Sequence, residues 1–229
     1  METGFTTPLP EECKDFIAKC FAGKTEEMTA FLEKMSLLQQ YLYETNEKFN
    51  LTALPPGAFW SKHVADSLSL VLALPRIREK AFSLLDLGCG AGFPSLVLAS
   101  AFPSLQVFSV DSTNKKISFV NAAAEKLSLK NLQGIHARGN ELARKEPYKG
   151  NMDLVTARAV ASADILVKES FAFLKNNGES ILAIYRTSTQ LDGEKEFLNK
   201  NKKFFWEATE LFGLPEEAGT RQFLLIRKK

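Results

Sequence analysis

Leu84-Leu85-Asp86-Leu87-Gly88-Cys89-Gly90-Ala91-Gly92-Phe93-Pro94 is the stretch that decides the fold. A short apolar run, the pattern of a buried strand, leads straight into G-x-G-x-G, and an apolar helical segment from Pro94 to Ala101 follows. Glycine is needed where the backbone turns sharply or where a ligand must touch the main chain. Pro94 suits the first turn of a helix, where its missing N–H would be unpaired anyway. Strand, glycine turn and helix in this order predict a ligand site at the C-terminal end of the first strand of an open α/β sheet.

Downstream, short apolar runs at Val107–Val110, Leu132–His136, Asp153–Ala157 and Ser180–Ile184 alternate with helical segments at Lys115–Leu127 and Asp164–Leu174. That alternation predicts βαβ units and a parallel sheet. Phe204–Leu211 and Gln222–Arg227, joined through Gly213, Pro215 and Gly219, predict a terminal antiparallel pair.

Upstream the rhythm is helical. Cys13, Phe16, Ile17, Cys20 and Phe21 recur at i, i+3, i+4, i+7 and i+8. Gly23 is the expected stop and Thr25 the expected N-cap of a second helix, with Met28, Phe31, Leu32, Met35, Leu38 and Leu42 on one face. After the Pro55-Pro56-Gly57 breaker, a third helix is expected from Ala58 to Leu74, with Val64, Leu68, Val71 and Leu72 inward. The division is therefore a helical extension, residues 1–78, packed on an α/β domain, residues 79–229.

Composition narrows the function classes. The 229 residues are 45% hydrophobic and 24% charged, the proportions of an ordinary folded protein rather than a disordered one. Lys and Arg number 29 and Asp and Glu 27, a net charge of +2, which argues against coating nucleic acid through bulk basicity. It leaves room for a local basic patch. Three cysteines with no C-x-x-C, and two histidines, offer no zinc cluster and read as free thiols of a reducing cytoplasm. The amino-terminal METGFTTPLPEE has neither the basic nor the apolar region of a leader, and no apolar run reaches the ~18–20 residues of a membrane span. The expectation is a cytoplasmic protein without membrane contact, and nothing demands more than a monomer.

The glycine loop has chemistry of its own. G-x-G-x-G is not the G-x-G-x-x-G of dinucleotide sites, and no G-K-[ST] follows to make a phosphate loop. Asp86, two residues before Gly88, is unwelcome beside a pyrophosphate but suits a cation. S-adenosylmethionine carries an ammonium and a sulfonium, and Asp86 could meet its amine directly or through water. Gly88, Gly90 and Gly92 would shape the turn. Asp111, 23 residues after Gly88 at the end of the second strand, could accept both ribose hydroxyls, or could cap the next helix in competition with Ser112 and Thr113.

A wider set of motifs runs through the chain: Phe49-Asn50-Leu51-Thr52-Ala53, His63-x-x-Asp66-Ser67, the glycine loop, Val110-Asp111-Ser112-x-Asn114-Lys115-Lys116, and Thr156-Ala157-Arg158-Ala159-Val160-Ala161. In this order they resemble the bacterial 16S ribosomal RNA guanine-N7 methyltransferases, the glucose-inhibited division protein B family. The resemblance implies a Rossmann-like class I S-adenosylmethionine-dependent methyltransferase fold. That fold has a mostly parallel seven-stranded sheet, an antiparallel C-terminal strand and a helical N-terminal extension. It implies methyl transfer from S-adenosylmethionine, without a metal, to N7 of one guanine in the helix 18 loop of 16S rRNA, position 527 in the usual rRNA numbering. The partner would be that rRNA, the small ribosomal subunit or its precursor.

Residue by residue, the resemblance implies cofactor contacts at Gly88, Phe93, Asp111, Ser112, Thr113, Gly139, Asn140 and Arg158. Asn140 stands where the family usually has an acid, and Tyr185 where it commonly has lysine, with Arg186 one residue later. Guanine N7 has a free lone pair and no proton, so in-line attack needs positioning rather than a general base, and no catalytic residue is assigned. Arg158, the candidate for positioning substrate, could clamp phosphate, meet guanine O6, face the cofactor, or pair with Asp164 or Asp153. His63 could orient substrate or hydrogen-bond Asp66, and His136 is expected to be satisfied or edge-exposed. Lys115 and Lys116, opening a helix beside Asp111, are candidate RNA contacts with His63; the lysines from Lys195 to Lys203 read as a solvated face. A target base leaves its stack to reach a cleft, and Phe49, Phe93 and Tyr185 are candidate stacking partners. The competing expectations are a methyltransferase of another RNA, a protein or a small molecule, and a regulatory cofactor-binding module without catalysis.

Overall fold

A computed structural model describes residues 5–79 and 81–229. The first four residues of the amino-terminal stretch considered above lie outside it. The extension comprises α1 (Glu11–Phe21), α2 (Thr25–Asn46), a 3-10 turn at Pro56–Ala58, a π-helical segment at Phe59–Ala65, the short α3 (Asp66–Leu68) and α4 (Leu70–Ala73), and a 3-10 turn at Pro75–Arg78. The α/β part runs β1 (Ser83–Leu87), α5 (Ser95–Ala101), β2 (Gln106–Asp111), α6 (Asn114–Lys126), β3 (Leu132–His136), α7 (Gly139–Leu142), β4 (Leu154–Arg158) and α8 (Ala163–Ser170). It ends with β5 (Ile181–Arg186), α9 (Ser188–Lys200), β6 (Phe204–Ala208), β7 (Phe212–Gly213) and β8 (Thr220–Lys228).

The main sheet has the order β3-β2-β1-β4-β5-β8-β6, with the two-residue β7 paired to β8 off this path. β1 to β5 are mutually parallel, and β8 is antiparallel to both β5 and β6. The seven strands of the path and the antiparallel C-terminal strand match expectation. Connections leave β1 toward β2 on one side and return to β4 on the other, which opens a crevice at the C-terminal ends of β1 and β4.

Strand periodicity divides the core between the two faces. Leu84, Val107, Leu154, Ala183, Tyr185 and Phe223 point to one face, where α5, α6 and the extension close over them. Leu85, Phe108, Val155, Leu182, Ile184 and Leu224 point to the other, under α8 and α9. The buried stripes of α1 (Cys13, Ile17, Cys20, Phe21) and α2 (Phe31, Met35, Leu38, Leu42) join the first of these layers, so the extension shares a core with the sheet. All three cysteines are buried and free.

Several local expectations are corrected. Thr25 is the first residue of α2, not its cap, and the turn before it is made by Ala22 and Gly23, both at positive φ. The expected continuous helix over Ala58–Leu74 is broken up. Its π-helical part buries Phe59, Trp60, His63 and Val64 together, a wider apolar surface than one α-helical stripe offers. The Ser69 hydroxyl donates to the Asp66 carbonyl (2.6 Å), competing with the backbone where α3 gives way to α4. Leu72, expected inward, is 38% exposed. Pro94 precedes α5 instead of opening it. The helix expected to reach Leu174 ends at Ser170, because Phe173 and Lys175 exchange backbone hydrogen bonds with Met152. α9 was not anticipated, although Thr187-x-x-Gln190 forms a capping box at its start, a pattern visible in the sequence.

Candidate methyl-donor site

The crevice holds a cleft of about 590 Å³ over the C-terminal ends of β1 and β2. Its floor is the glycine loop. Gly88 and Cys89 both donate their N–H to the Val110 carbonyl (2.8 and 3.0 Å), which ties the loop to β2. Asp111 then bridges the two turns: one carboxylate oxygen accepts the Gly90 N–H (3.0 Å) and the other the Thr113 N–H (2.8 Å). Neither the rival cap Ser112 nor Thr113 caps α6 with its side chain; Asp111 braces the turn instead. A carboxylate offers about four acceptor positions, so two remain for a ligand in the cleft.

Six of the expected residues meet here: Gly88, Asp111, Ser112, Thr113, Gly139 and Asn140, with Lys116 at the rim. Arg138, Val160 and Glu169 also line the cleft and were not expected there; Val160 belongs to the Thr156–Ala161 motif, and no local pattern marks Arg138 or Glu169. Gly90, Gly92, Phe93 and Asp86 act from beneath. Gly92 has φ +87, and a Cβ there would lie 2.5 Å from Leu96. Asp86 is 1% exposed, accepts the Ser95 N–H (3.2 Å) at the start of α5, and has its other oxygen without a partner. Burial pushes its carboxyl up to about 7.

Arg158 lies in an adjoining cavity of about 310 Å³ that shares Ala159 with the cleft. The ion pairs considered for it with Asp164 and Asp153 are absent; those acids hold Lys168 and Lys175. Its partner is Asp66 of the extension (3.1 Å), which also receives Arg221 from β8 bidentately (2.7 and 2.9 Å). Arg158 further donates to the Lys62 carbonyl and lies over the Phe93 ring, 5.8 Å from its centroid. Arg221 and Lys62 therefore belong to the same cavity, and nothing in their sequence surroundings pointed there.

His63 does not bond Asp66. It pairs with the Thr52 hydroxyl (3.2 Å) and stacks on Phe93 at 4.1 Å between centroids. Burial, and secondarily the nearby Arg158 charge, pull its pKa down to about 3, so it is neutral at physiological pH. Phe93 and Tyr185 are too buried to stack on a base; the Tyr185 hydroxyl donates to the Ser67 carbonyl (2.9 Å). Arg186 is not a displaced cation of the site. It is buried and paired with Glu194 of α9. Lys115 rests over the exposed Phe49 ring. His136 meets the Ser112 carbonyl at an exposed position (3.0 Å). Lys195 and Lys200 are paired with acids on their own helix.

These residues fit S-adenosylmethionine. A Cβ on Gly88 (φ +71) would lie 2.7 Å from Val160, so only glycine leaves the floor open. Asp111 supplies carboxylate acceptors, and Asp86, with one oxygen unpartnered, lies under the loop. We expect Gly88→Ala to abolish measurable cofactor binding in calorimetry. Gly90→Ala, at φ +58 with open space around it, is expected to cost about 1 kcal/mol of stability and little affinity.

Comparison with known proteins gives the family and the fold. Residues 31–222 match the family model described as rRNA small subunit methyltransferase G. A protein of that name from Lacticaseibacillus paracasei is 36% identical over 200 residues, covering 86% of this chain and 82% of the relative. One from Lactiplantibacillus plantarum is 33% identical over 222 residues, covering 96% and 90%. Among solved structures, an S-adenosylmethionine-dependent O-methyltransferase from Thermotoga maritima matches with TM-score 0.54 at 18% identity, over 71% of this chain and 64% of that one. TrmN from Thermus thermophilus matches with TM-score 0.53 at 18% identity, over 78% and 55%. At such identities these two speak for the fold alone. With a class I methyltransferase fold and a family match across most of its length, the chain belongs to the rRNA small subunit methyltransferase G family.

Proposed function

We propose that this protein transfers the methyl group of S-adenosylmethionine to N7 of a guanine in 16S ribosomal RNA, the guanine at position 527 of the helix 18 loop. The observation that carries this is the second cavity. Arg158 and Arg221 converge there on one buried carboxylate, Asp66, with Lys62 in the lining, directly beside the donor cleft. A cationic pocket at that place suits a guanine O6 or a phosphate. When bound, S-adenosylmethionine would supply an electrophilic methyl group. Gly88, Asp111 and Thr113 would hold it, and the helical extension, residues 1–78, would complete the substrate side of the α/β domain through Lys62 and Asp66.

The chemistry of N7 matches what the side chains here can do. His63, packed behind Phe93, is buried, neutral and stacked, so it is poorly placed to take a proton. N7 has no proton to lose. Arg158 has guanidinium donors beyond those used for Asp66 and Lys62, and they can orient a base. Between about pH 5.5 and 7.5 the rate is therefore expected to carry no histidine limb. Any break in kcat/KM there belongs to Asp86, whose carboxyl lies at about 7, and a break near the ordinary histidine value of about 6.5 that persists in Asp86→Asn would contradict that.

The direct test incubates the protein with methyl-labelled S-adenosylmethionine and small subunits, or naked 16S rRNA, from a strain lacking the modification. Label is expected as 7-methylguanosine in the helix 18 loop. Label in protein or a metabolite, with none in RNA, would overturn the proposal. Tight cofactor binding with no transfer to any cell fraction would favour a non-catalytic module.

A further inference from the structure

The rim of the donor cleft carries a feature that the methyl-transfer chemistry does not use. Phe49 is 43% exposed, just past the end of α2. An exposed phenyl ring on a loose loop would mean little, but this turn is braced. The Asn46 side chain accepts the Leu51 and Thr52 N–H groups (2.8 and 3.0 Å) and donates to the Thr52 carbonyl (3.1 Å). Leu51 is buried on the inner side of the turn, so Phe49 is held outward. Lys115, from the first turn of α6, lies 5.5 Å from its ring centroid. Lys116, the next residue, lines the donor cleft.

The same arrangement recurs along the seam between α2 and α6. Tyr41 stacks on Phe119 (5.2 Å, 13°), and Lys126 lies 5.3 Å from the Tyr41 centroid. Lys115 and Lys126 are 11 residues apart on one helix, or about 16 Å at ~1.5 Å per residue. Neither these lysines nor Lys116 has an acid within ion-pair distance among the described residues. Alternating cations and aromatic rings leading away from a cleft suit a polymer that alternates phosphates and flat bases.

We infer that the α2–α6 seam is a track for the single-stranded RNA flanking the target nucleotide. Phe49 stacks a base next to the one being methylated, and Lys115 and Lys126 hold its phosphates. The inference rests on the rRNA reading above and goes further, because it assigns a path and a stacking residue outside the donor cleft. It also bears on the near-neutral net charge: a few unpaired lysines in one line provide the attraction that bulk basicity does not.

The test measures binding of a short, labelled single-stranded oligoribonucleotide to the full chain by anisotropy at several salt concentrations, alongside S-adenosylmethionine affinity by calorimetry. Phe49→Ala is expected to weaken RNA binding about tenfold, and Phe49→Trp to restore it. Lys115→Gln is expected to flatten the slope of log K against log salt by about 0.7, one single-strand phosphate contact. Cofactor affinity should stay within about twofold of wild type in all three, and Lys195→Gln with Lys200→Gln should leave RNA binding unchanged. Wild-type RNA affinity in Phe49→Ala, a parallel loss of cofactor affinity, or duplex RNA bound as tightly as single strands would overturn the inference. If Phe49→Ala loses RNA affinity but the wild-type protein forms no 7-methylguanosine, the functional proposal falls and the track stands.

Discussion

Replacing Asp86 with asparagine is expected to raise the stability of the ligand-free protein at neutral pH and to weaken cofactor binding at least tenfold. The carboxylate is buried, has a single backbone donor in Ser95, and its pKa is pushed up to about 7 by desolvation. For an acid raised above its unfolded value, the folded state holds more protons than the unfolded one between about pH 4 and 7. Stability therefore falls as pH rises through that window. The displacement corresponds to an energy on the order of 4 kcal/mol at neutral pH, which asparagine removes while still accepting the Ser95 hydrogen bond. His63 acts in the opposite sense. Its pKa is lowered to about 3, so the unfolded state holds the extra proton and stability rises with pH between about 3 and 6.5. In the wild type the two slopes oppose each other over most of that range. Asp86→Asn leaves the histidine slope alone, so the variant should melt higher at pH 7.5 and lose stability steeply on acidification. A melting temperature unchanged at pH 7.5, with unchanged cofactor affinity in calorimetry, would show that the Asp86 charge is neither a burden nor a binding device.

Asp66→Ala is expected to be the most damaging single change on the substrate side. It removes the carboxylate shared by Arg158 and Arg221, whose side chains are 15% and 17% exposed. Two guanidinium groups would then face each other in a partly buried cavity without a counter-charge. Breaking such a pair costs about 3 kcal/mol, or a drop in Tm on the order of 10 °C for a chain of this size. Arg158 would also lose the contact that aims it across the Phe93 ring. Transfer to RNA is expected to fall at least a hundredfold, while cofactor affinity changes little, because Asp66 does not line the donor cleft. Arg221→Ala alone should be milder on stability, since Arg158 still neutralises Asp66. A double-mutant cycle between Asp66 and Arg221 would give their coupling directly, and a coupling near zero would refute the shared-carboxylate account.

Much of the donor cleft was legible because its parts are local. Gly88 lies one residue beyond the end of β1 and Asp111 ends β2; in a parallel sheet, neighbouring strand ends meet without further information. Gly139 and Asn140 follow β3 closely and arrive at the same edge. The fate of Arg186 was not legible. Its partner Glu194 lies on α9, and the capping box Thr187-x-x-Gln190 marks where that helix starts but not which charge its inner face turns to the sheet. The burial of Tyr185 was not legible either, because its hydroxyl meets the Ser67 carbonyl, 118 residues earlier.

By itself the sequence determined the fold class and set the candidate cleft at the ends of the first two strands, while the expectation of a reaction without a general base came from the family resemblance. Apolar periodicity and glycine spacing report short-range backbone geometry, and short-range geometry is enough to build a strand, a turn and the strand beside it. Only the tertiary structure decided what the charges do. Asp66 meets Arg158 across 92 residues and Arg221 across 155, and His63 turns away from Asp66 to lie on Phe93. A carboxylate attracts any arginine brought near it, so the choice among arginines belongs to the sheet order and the packing of the extension, which no local pattern records.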